Sequence, residues 1–198
     1  ALPICLFVGT LDSSQMLAVN ADSGATEWTQ RVAGATAADL VATQDTVIVP
    51  SFDRTMHALD AASGTERWRF TGNGWFVGRP LVTPDAIYAT TLGGAIYALG
   101  RSGTLTWQAQ QNGLEFRSAP VLVGNLLVVA ARNGTILGLD AASGDVKWTK
   151  RAESATIDAN GAAMGGGVFY ITSTHQLLRV DPASGDIKSF DVQPPKSK

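Results

Sequence analysis

The sequence predicts an all-β protein of five repeats, and two observations support that prediction. The segment Ala-Leu-Asp-Ala-Ala-Ser-Gly-Thr-Glu-Arg-Trp at residues 58–68 recurs, with substitutions, five times along the 198 residues. Its glycines are spaced 40, 39, 41 and 41 residues apart, at Gly24, Gly64, Gly103, Gly144 and Gly185. A β-branched run precedes each copy and is too short for a helix but typical of a strand. A fixed period near 40 residues indicates a repeat architecture.

Each repeat is interpreted as four strands joined by turns. In the second repeat the run Val47-Ile48-Val49 is one strand, a polar hairpin follows, and the next strand opens the motif. Within the motif, the Asp or Asn side chain can accept turn N–H groups, and the glycine can adopt the positive φ that closes the hairpin. The motif tryptophan then lies on the last strand, and a further apolar stretch such as Leu81-Val82 precedes each β-branched run.

Four-stranded sheets repeated radially make a β-propeller, whose neighbouring blades cover each other's faces. Helical repeats of similar length need helical spacing of apolar residues without a glycine at every turn, so strands are favoured. The periodic tryptophans are predicted to pack between blades, because one indole buries on the order of 200 Å². These are Trp28, Trp68, Trp107 and Trp148. We expect one domain over 1–198, with repeats at about 1–30, 31–70, 71–109, 110–150 and 151–191 and a tail at 192–198.

The pattern A-x-[DN]-x-x-[ST]-G-x-x-x-W resembles the tryptophan-docking motif of the PQQ-type, quinoprotein-like propeller repeat, and it covers essentially the whole chain. The WD-repeat is excluded because no Gly-His and Trp-Asp pair recurs. The fifth copy departs from the pattern, since Ser189 stands at the tryptophan position with Phe190 beside it. We therefore expect altered packing after the fifth unit.

The ends of the chain leave two architectures open. Residues 1–3 align with 41–43, so the first unit is predicted to lack most of its innermost strand. The tail 191–198 could supply that strand by closing a ring, but Pro194-Pro195 has no N–H for a sheet ladder. The alternatives are a five-bladed ring or a five-blade part of a larger propeller, since propellers of the resembled family usually have seven or eight blades. Imperfect blade edges could also recruit another copy.

Composition excludes several classes of protein. The net charge is −2, the pI is about 5.6 and no Lys/Arg run occurs, so nucleic acid is not an expected partner. No apolar stretch approaches the ~20 residues of a membrane span. Cys5 is the only cysteine, so neither an internal disulfide nor a multi-cysteine metal site can form. We expect Cys5 to be a small buried residue of the first strand.

A candidate binding face follows from propeller geometry. The innermost strands line the axis, and the loops that lead into them open on one face with the hairpins between second and third strands. By the repeat, these loops are 33–39, 72–79, 112–119 and 153–159, and one shared position is occupied by Thr36, Phe76, Phe116 and Thr156. An aromatic and arginine cluster at a loop mouth is typical of an interaction hot spot. Alternatively, Phe76 and Phe116 plug the axis and the arginines are solvated.

The predicted partner-binding residues on this axial face surround the two phenylalanines and the axis. They are Trp75, Phe76, Arg79, Glu115, Phe116, Arg117, Asp39 and Asp158. Asp39 and Asp158 come from non-adjacent blades and could bind a cation, but the six to eight oxygen ligands of a calcium site are not evident. No metal site is therefore predicted.

No catalytic residues are predicted. His57 stands where other repeats have Tyr97 and Leu137, so it is interpreted as a packed strand residue, and His175 as part of an exposed hairpin. Quinoprotein dehydrogenases enclose PQQ with adjacent cysteines, which one cysteine cannot provide. The resemblance is therefore to the non-catalytic branch, such as the propeller lipoprotein of the bacterial outer-membrane β-barrel assembly machinery.

That resemblance implies a non-enzymatic scaffold without a cofactor, periplasmic or extracellular, which binds protein partners, including membrane-associated ones. The residues before Cys5 lack the small residue of a lipobox, so a lipid anchor at Cys5 is not expected. The alternative function is a small-molecule or PQQ-binding sensor domain, or a fragment of a quinoprotein. A stoichiometric ligand in the axial pocket would distinguish this alternative from a scaffold.

Overall fold

The computed structural model describes residues 5–10, 13–34, 39–153 and 156–192, which form nineteen strands and no helix. The strands build five antiparallel sheets, and each sheet comes from one repeat. The all-β prediction is therefore confirmed. Within these ranges, no helix is long and apolar enough to cross a membrane.

Each sheet is one blade. Blade one contains β1 (Cys5–Gly9), β2 (Gln15–Asn20) and β3 (Thr26–Arg31). Blade two contains β4 (Val41–Ala42), β5 (Thr46–Pro50), β6 (Thr55–Asp60) and β7 (Glu66–Thr71). Blade three contains β8 (Leu81–Val82), β9 (Ala86–Thr90), β10 (Ala95–Gly100) and β11 (Leu105–Gln110). Blade four contains β12 (Val121–Val123), β13 (Leu126–Ala130), β14 (Thr135–Asp140) and β15 (Val146–Arg151), and blade five β16 (Ala162–Met164), β17 (Gly167–Ile171), β18 (Gln176–Val180) and β19 (Ile187–Asp191).

The first strands of the four-stranded blades lie around a common axis. Side chains of β4, β8, β12 and β16 line one shared cavity of about 360 Å³, with Val41, Leu81, Val121 and Ala163 among them. Because strand order within each of these blades follows the sequence, the fourth strands form the rim. This arrangement is a β-propeller. In its described residues blade one has three strands, and the first-strand segment predicted at 1–3 lies outside the described ranges.

The repeat motif folds as a turn followed by a β-bulge. In blade two, Asp60 Oδ1 accepts hydrogen bonds from the N–H groups of Ala62 and Ser63 at 3.0 and 2.8 Å. Gly64 then takes a φ of 73°, which favours glycine because it has no Cβ. The following strand bulges, so that Trp68 pairs with Ala58. This bulge sets the face on which the tryptophan lies.

Each of the four motif tryptophans lies on the motif of the next blade. Their indole Nε1–H groups donate to a turn carbonyl there at 2.8 to 3.0 Å, namely of Ala61, Arg101, Ala141 and Pro182 in turn. The indole also covers the motif glycine: a Cβ at Gly64 or Gly144 would come within 2.5 to 2.6 Å of indole atoms. The motif glycine therefore serves both the turn and the close approach of the preceding blade.

The hydrophobic core lies between the blades. In blades two, three and four the two middle strands are buried on both faces, as in β5, where all five residues are buried. Alternate residues of β5 contribute to different clusters: Val47 and Val49 pack toward blade one, and Ile48 packs toward blade three. Each of these three inner blades is thus held by its neighbours on both faces.

Blade five departs from this pattern in three linked ways. The strands β18 and β19 pair without the bulge, so Lys188 lies opposite Arg179. Ser189 was predicted at the tryptophan position by spacing alone. It lies one residue beyond that position on β19 and pairs with Leu178. Arg179 occupies the position of Gly138 in blade four, where any Cβ would overlap the indole of Trp148. A large side chain is possible there because blade five has no tryptophan to accommodate.

Candidate functional site

The axial face is built from blade-connecting loops and from hairpins between second and third strands. Backbone hydrogen bonds join the two: the N–H of Leu92 donates to the Trp75 carbonyl at 3.1 Å, and the N–H of Arg132 donates to the Glu115 carbonyl at 2.8 Å. In the same way the N–H of Ser173 donates to the Thr156 carbonyl at 3.0 Å. The loops are therefore fixed to the hairpins of the following blade.

These hydrogen bonds correct the alignment of the loops. Thr156 is structurally equivalent to Trp75 and Glu115, because the carbonyl of each accepts a hydrogen bond from the following blade's hairpin. Ile157 is equivalent to Phe116, because the N–H of each donates to the preceding blade's hairpin. The sequence alignment placed Thr156 with the phenylalanines, one position out. The error follows from the 41-residue spacing of the last two units. Thr36 lies outside the described residues.

Phe76 and Phe116 are buried, which corrects their prediction as partner-gripping residues. Phe76 packs on Tyr97, with ring centroids 5.9 Å apart, in the core between blades two and three. Phe116 lies in the core between blades three and four with Leu137. Both side chains point into the cores between blades and so anchor their loops from the interior. A partner on the axial face would not contact them.

Trp75 projects from the face that these phenylalanines support. Its side chain is 53% exposed although it is one of the largest apolar groups of the chain. Its ring packs against Phe52 of the neighbouring hairpin, with centroids 5.9 Å apart and planes tilted by 52°. We call Phe52 and Trp75 the aromatic patch. Phe52 was not predicted, although the repeat aligns it with the exposed hairpin position of Arg132.

The neighbouring part of the face carries charge. The Asp158 carboxylate lies between two guanidinium groups, with its Oδ1 3.3 Å from Arg132 Nε and 3.8 Å from Arg117 Nε. Glu115 is exposed and, with Arg132 and Thr156, lines an open cavity of about 400 Å³. We call Glu115, Arg117, Arg132 and Asp158 the charged patch.

The structure separates the two remaining predicted residues from these patches. Arg79 is exposed and lines the central cavity with Leu81 and Asn160. Asp39 is also exposed, on the segment that leads into β4. Asp158 is engaged by arginines rather than placed with Asp39 in a set of oxygen ligands. In the described part of the chain, no group of three His, Cys, Asp or Glu residues could hold a metal ion.

His57 and Cys5 lie in the seam between blades one and two, whereas His175 is exposed on the hairpin between β17 and β18. His57 is 2% exposed and its Nδ1 is 2.9 Å from Glu66 Oε2, in the seam between blades one and two. It is a packed strand residue, as expected. Cys5 lies on β1, the first described strand, but it is half-buried rather than buried as expected, and it lines a cavity of about 280 Å³ beside Phe7.

Comparison with known proteins agrees with this architecture. A family model described as "Outer membrane protein assembly factor BamB" matches residues 12–156 and 113–189. The chain belongs to this family. The BamB of Burkholderia pseudomallei is 32% identical over 113 residues, which are 56% of this chain and 29% of that protein. The chain therefore spans under a third of that relative's length.

Solved structures show the same fold. The crystal structure of BamB from Moraxella catarrhalis superposes with a TM-score of 0.81 at 19% identity, over 94% of this chain and 60% of that one. A europium-containing methanol dehydrogenase superposes with a TM-score of 0.75 at 12% identity, over 93% of this chain and 49% of that one. At these identities the likeness shows the fold alone.

Proposed function

We propose that the chain is a non-enzymatic scaffold that binds a protein partner through its axial face. The observation that carries the proposal is the half-exposed side chain of Trp75, which packs against Phe52. An exposed tryptophan on a fixed loop is typical of an interface hot spot, because it buries a large area at a low cost in conformational entropy. The loop is fixed by the buried Phe76 and by the hydrogen bond from Leu92.

The charged patch supplies the second part of this interface. Arg132 and Arg117 share the carboxylate of Asp158, and two guanidinium groups carry more N–H donors than one carboxylate can accept, so further donors can serve acceptors on a partner. Partly exposed charges of mixed sign contribute more to orientation and association rate than to affinity. We infer that the aromatic patch provides affinity and the charged patch provides orientation.

The BamB relatives suggest the kind of partner. They are named outer membrane protein assembly factors, so we propose that the partner is a protein of outer-membrane protein assembly and that the chain works in the periplasm. The residues do not fit the PQQ chemistry of quinoprotein dehydrogenases. The one cysteine lies in a seam between blades, and the carboxylate of Asp158 is held by two arginines.

Co-purification from the native host tests the proposal. The change is Trp75→Ala, alone and with Arg132→Ala, and bound proteins are quantified by mass spectrometry. We expect outer-membrane assembly proteins to co-purify with the unaltered chain and to fall at least tenfold with the double variant. Each 1.4 kcal/mol of lost binding energy is about tenfold.

Leu105→Ala is the matched control, because Leu105 is an exposed apolar residue of the rim strand β11. It should leave co-purification unchanged. Equal recovery of the same proteins with the Trp75 and Arg132 double variant, in a folded protein, would show that the axial face is not the binding site.

A further inference from the structure

The hairpin that carries Phe52 holds an arginine in a backbone conformation that favours glycine. Arg54 has a φ of 71°, and its carbonyl accepts a hydrogen bond from the Gly72 N–H at 2.8 Å. The same hairpin position is glycine in blades three and four, where Gly94 has a φ of 78° and Gly134 a φ of 85°. A residue with a Cβ is disfavoured at such φ values, so an arginine there lowers stability relative to glycine.

Two further residues share this conformation, and Arg54 differs from both in its side chain. Among the described residues, Ser14 and His175 are the other non-glycine residues with a positive φ, and they lie in the corresponding hairpins of blades one and five. Serine is small, and histidine is enriched in left-handed conformations. Arg54 is the one of the three with a long and permanently charged side chain. Backbone strain of this kind concentrates at functional sites.

Contacts within the described chain do not account for this arginine. Its side chain is exposed, and within the described ranges no hydrogen bond or ion pair engages its guanidinium group. By contrast, Arg117 and Arg132 of the charged patch share the carboxylate of Asp158. The chain spans at most about 3.6 Å per residue, so the Cα atoms of Arg54 and Phe52 lie within about 7 Å of each other. The aromatic patch therefore has a cation beside it, with five N–H donors.

We propose that Arg54 determines which partner the axial face accepts, namely a protein segment that carries a carboxylate beside an apolar side chain. The apolar side chain packs on Trp75 and Phe52. The carboxylate accepts N–H groups of the Arg54 guanidinium, whose fork matches the two carboxylate oxygens. The inference rests on the proposed function of the axial face. It adds the chemistry of the partner and a binding residue that belongs to neither patch.

Arg54→Gly separates binding from stability, because glycine relieves the backbone and removes the cation. In the full chain, we expect the recovery of outer-membrane assembly proteins from the native host to fall by about fivefold or more, measured by co-purification and mass spectrometry. The Tm of the purified variant should rise by about 2 °C, because glycine adopts a positive φ without strain. Unchanged recovery, or a Tm lower by more than about 1 °C, overturns the proposal.

His175→Gly is the matched control. His175 has a φ of 60°, and its carbonyl accepts a backbone hydrogen bond from the Val192 N–H at 3.1 Å, in the same way as the Arg54 carbonyl. This variant should also gain about 2 °C in Tm, and it should leave recovery unchanged. An equal loss of recovery with His175→Gly would refute the proposal, because the effect would then not depend on Arg54.

The axial-face function and this inference fail in different ways. If Trp75→Ala together with Arg132→Ala abolishes recovery but Arg54→Gly does not, the axial face remains the binding site and the role of Arg54 is refuted. If none of these variants lowers recovery, both proposals are refuted.

Carbodiimide crosslinking of the variant Arg54→Lys tests for the carboxylate directly. The reagent condenses a lysine ε-amine with a carboxylate in contact with it, which forms an amide while the carbodiimide takes up the released water as a urea. The complex recovered from the native host should yield a peptide containing position 54 joined to an Asp or Glu of a co-purified assembly protein. His175→Lys should yield no such peptide. A crosslink confined to carboxylates of the chain itself, or no crosslink, overturns the proposal.

Discussion

The interface between blades three and four and the outward face of blade five are built from the same repeat but differ in chemistry. In the first, Trp107 is buried, packs beside Tyr88 at 6.1 Å and donates its indole N–H to Ala141. In the second, Lys188 lies opposite Arg179 and the bulge is absent. In blades one to four a tryptophan on the last strand, a β-bulge before it and a small residue opposite it occur together, and in blade five all three are absent. Polar substitution on an outer face is typical of capping repeats.

The largest expected effect tests the docking tryptophan itself. Trp107→Ala and Trp68→Ala should each lower the free energy of unfolding by ~3 to 5 kcal/mol, because an aromatic group packed on the next blade is lost and a cavity remains. Urea unfolding measures this. Lys188→Ala, at the matching register of blade five, should change it by less than about 0.5 kcal/mol. Losses below about 1 kcal/mol for both tryptophans would contradict the blade-packing account.

The second prediction separates loop anchoring from partner binding. Phe116→Ala should cost about 3 kcal/mol of stability because its ring fills the core between blades three and four. Trp75→Ala should cost less than about 0.5 kcal/mol because its ring is half exposed. Thermal and urea unfolding of the two variants check this. Equal losses would mean that Trp75 is a structural residue.

The third prediction compares two buried tyrosines. The Tyr97 hydroxyl accepts a hydrogen bond from the Asn73 N–H at 2.7 Å, whereas within the described residues the buried Tyr170 hydroxyl has no hydrogen-bond partner. Tyr97→Phe should therefore cost about 1 kcal/mol, and Tyr170→Phe should be neutral or stabilising. Urea unfolding curves of both variants measure the difference. A larger loss for Tyr170→Phe would reverse the comparison.

The smallest effect concerns acid titration of the motif turns. The hydrogen bond from Arg67, followed by those from Ser63, lowers the pKa of Asp60 from 3.8 to about 2. Because the folded pKa is depressed, the stabilisation is present above pH 4 and is lost as the pH falls toward 2. NMR titration of the carboxyl carbon should show this, and Arg67→Ala should raise the pKa toward 3.8. An unchanged pKa in that variant would exclude the ion pair as the main cause.

The equivalent carboxyl in blade five provides the control for that titration. Backbone hydrogen bonds from Ser184 and Ala183 lower the pKa of Asp181. Arg67→Ala should leave the pKa of Asp181 unchanged, because Asp181 belongs to another turn.

That the five blades unfold as one domain stays a prediction. Coincident unfolding transitions by fluorescence and by circular dichroism would test it.

The sequence by itself determined the repeat, the strands, the turns and the tryptophan positions. These are local properties: alternation of side chains sets strand faces, and a glycine after Asp60 or Asn20 closes a turn within a few residues. The loss of the docking position in blade five was also visible as Ser189. The tertiary structure decided that Lys188, not Ser189, replaces the tryptophan. A β-bulge shifts strand pairing by one residue, and spacing in the sequence does not reveal that blade five lacks the bulge.

The tertiary structure also decided the site. Phe76 and Trp75 are adjacent in sequence, yet one is buried and the other is exposed, because the loop direction depends on hydrogen bonds to the next blade's hairpin. Arg117 and Asp158 belong to successive blade-connecting loops and meet only when two blades pack side by side. Periodicity identifies equivalent positions in a repeat protein. The direction in which a loop side chain points depends on contacts between repeats that no local pattern encodes.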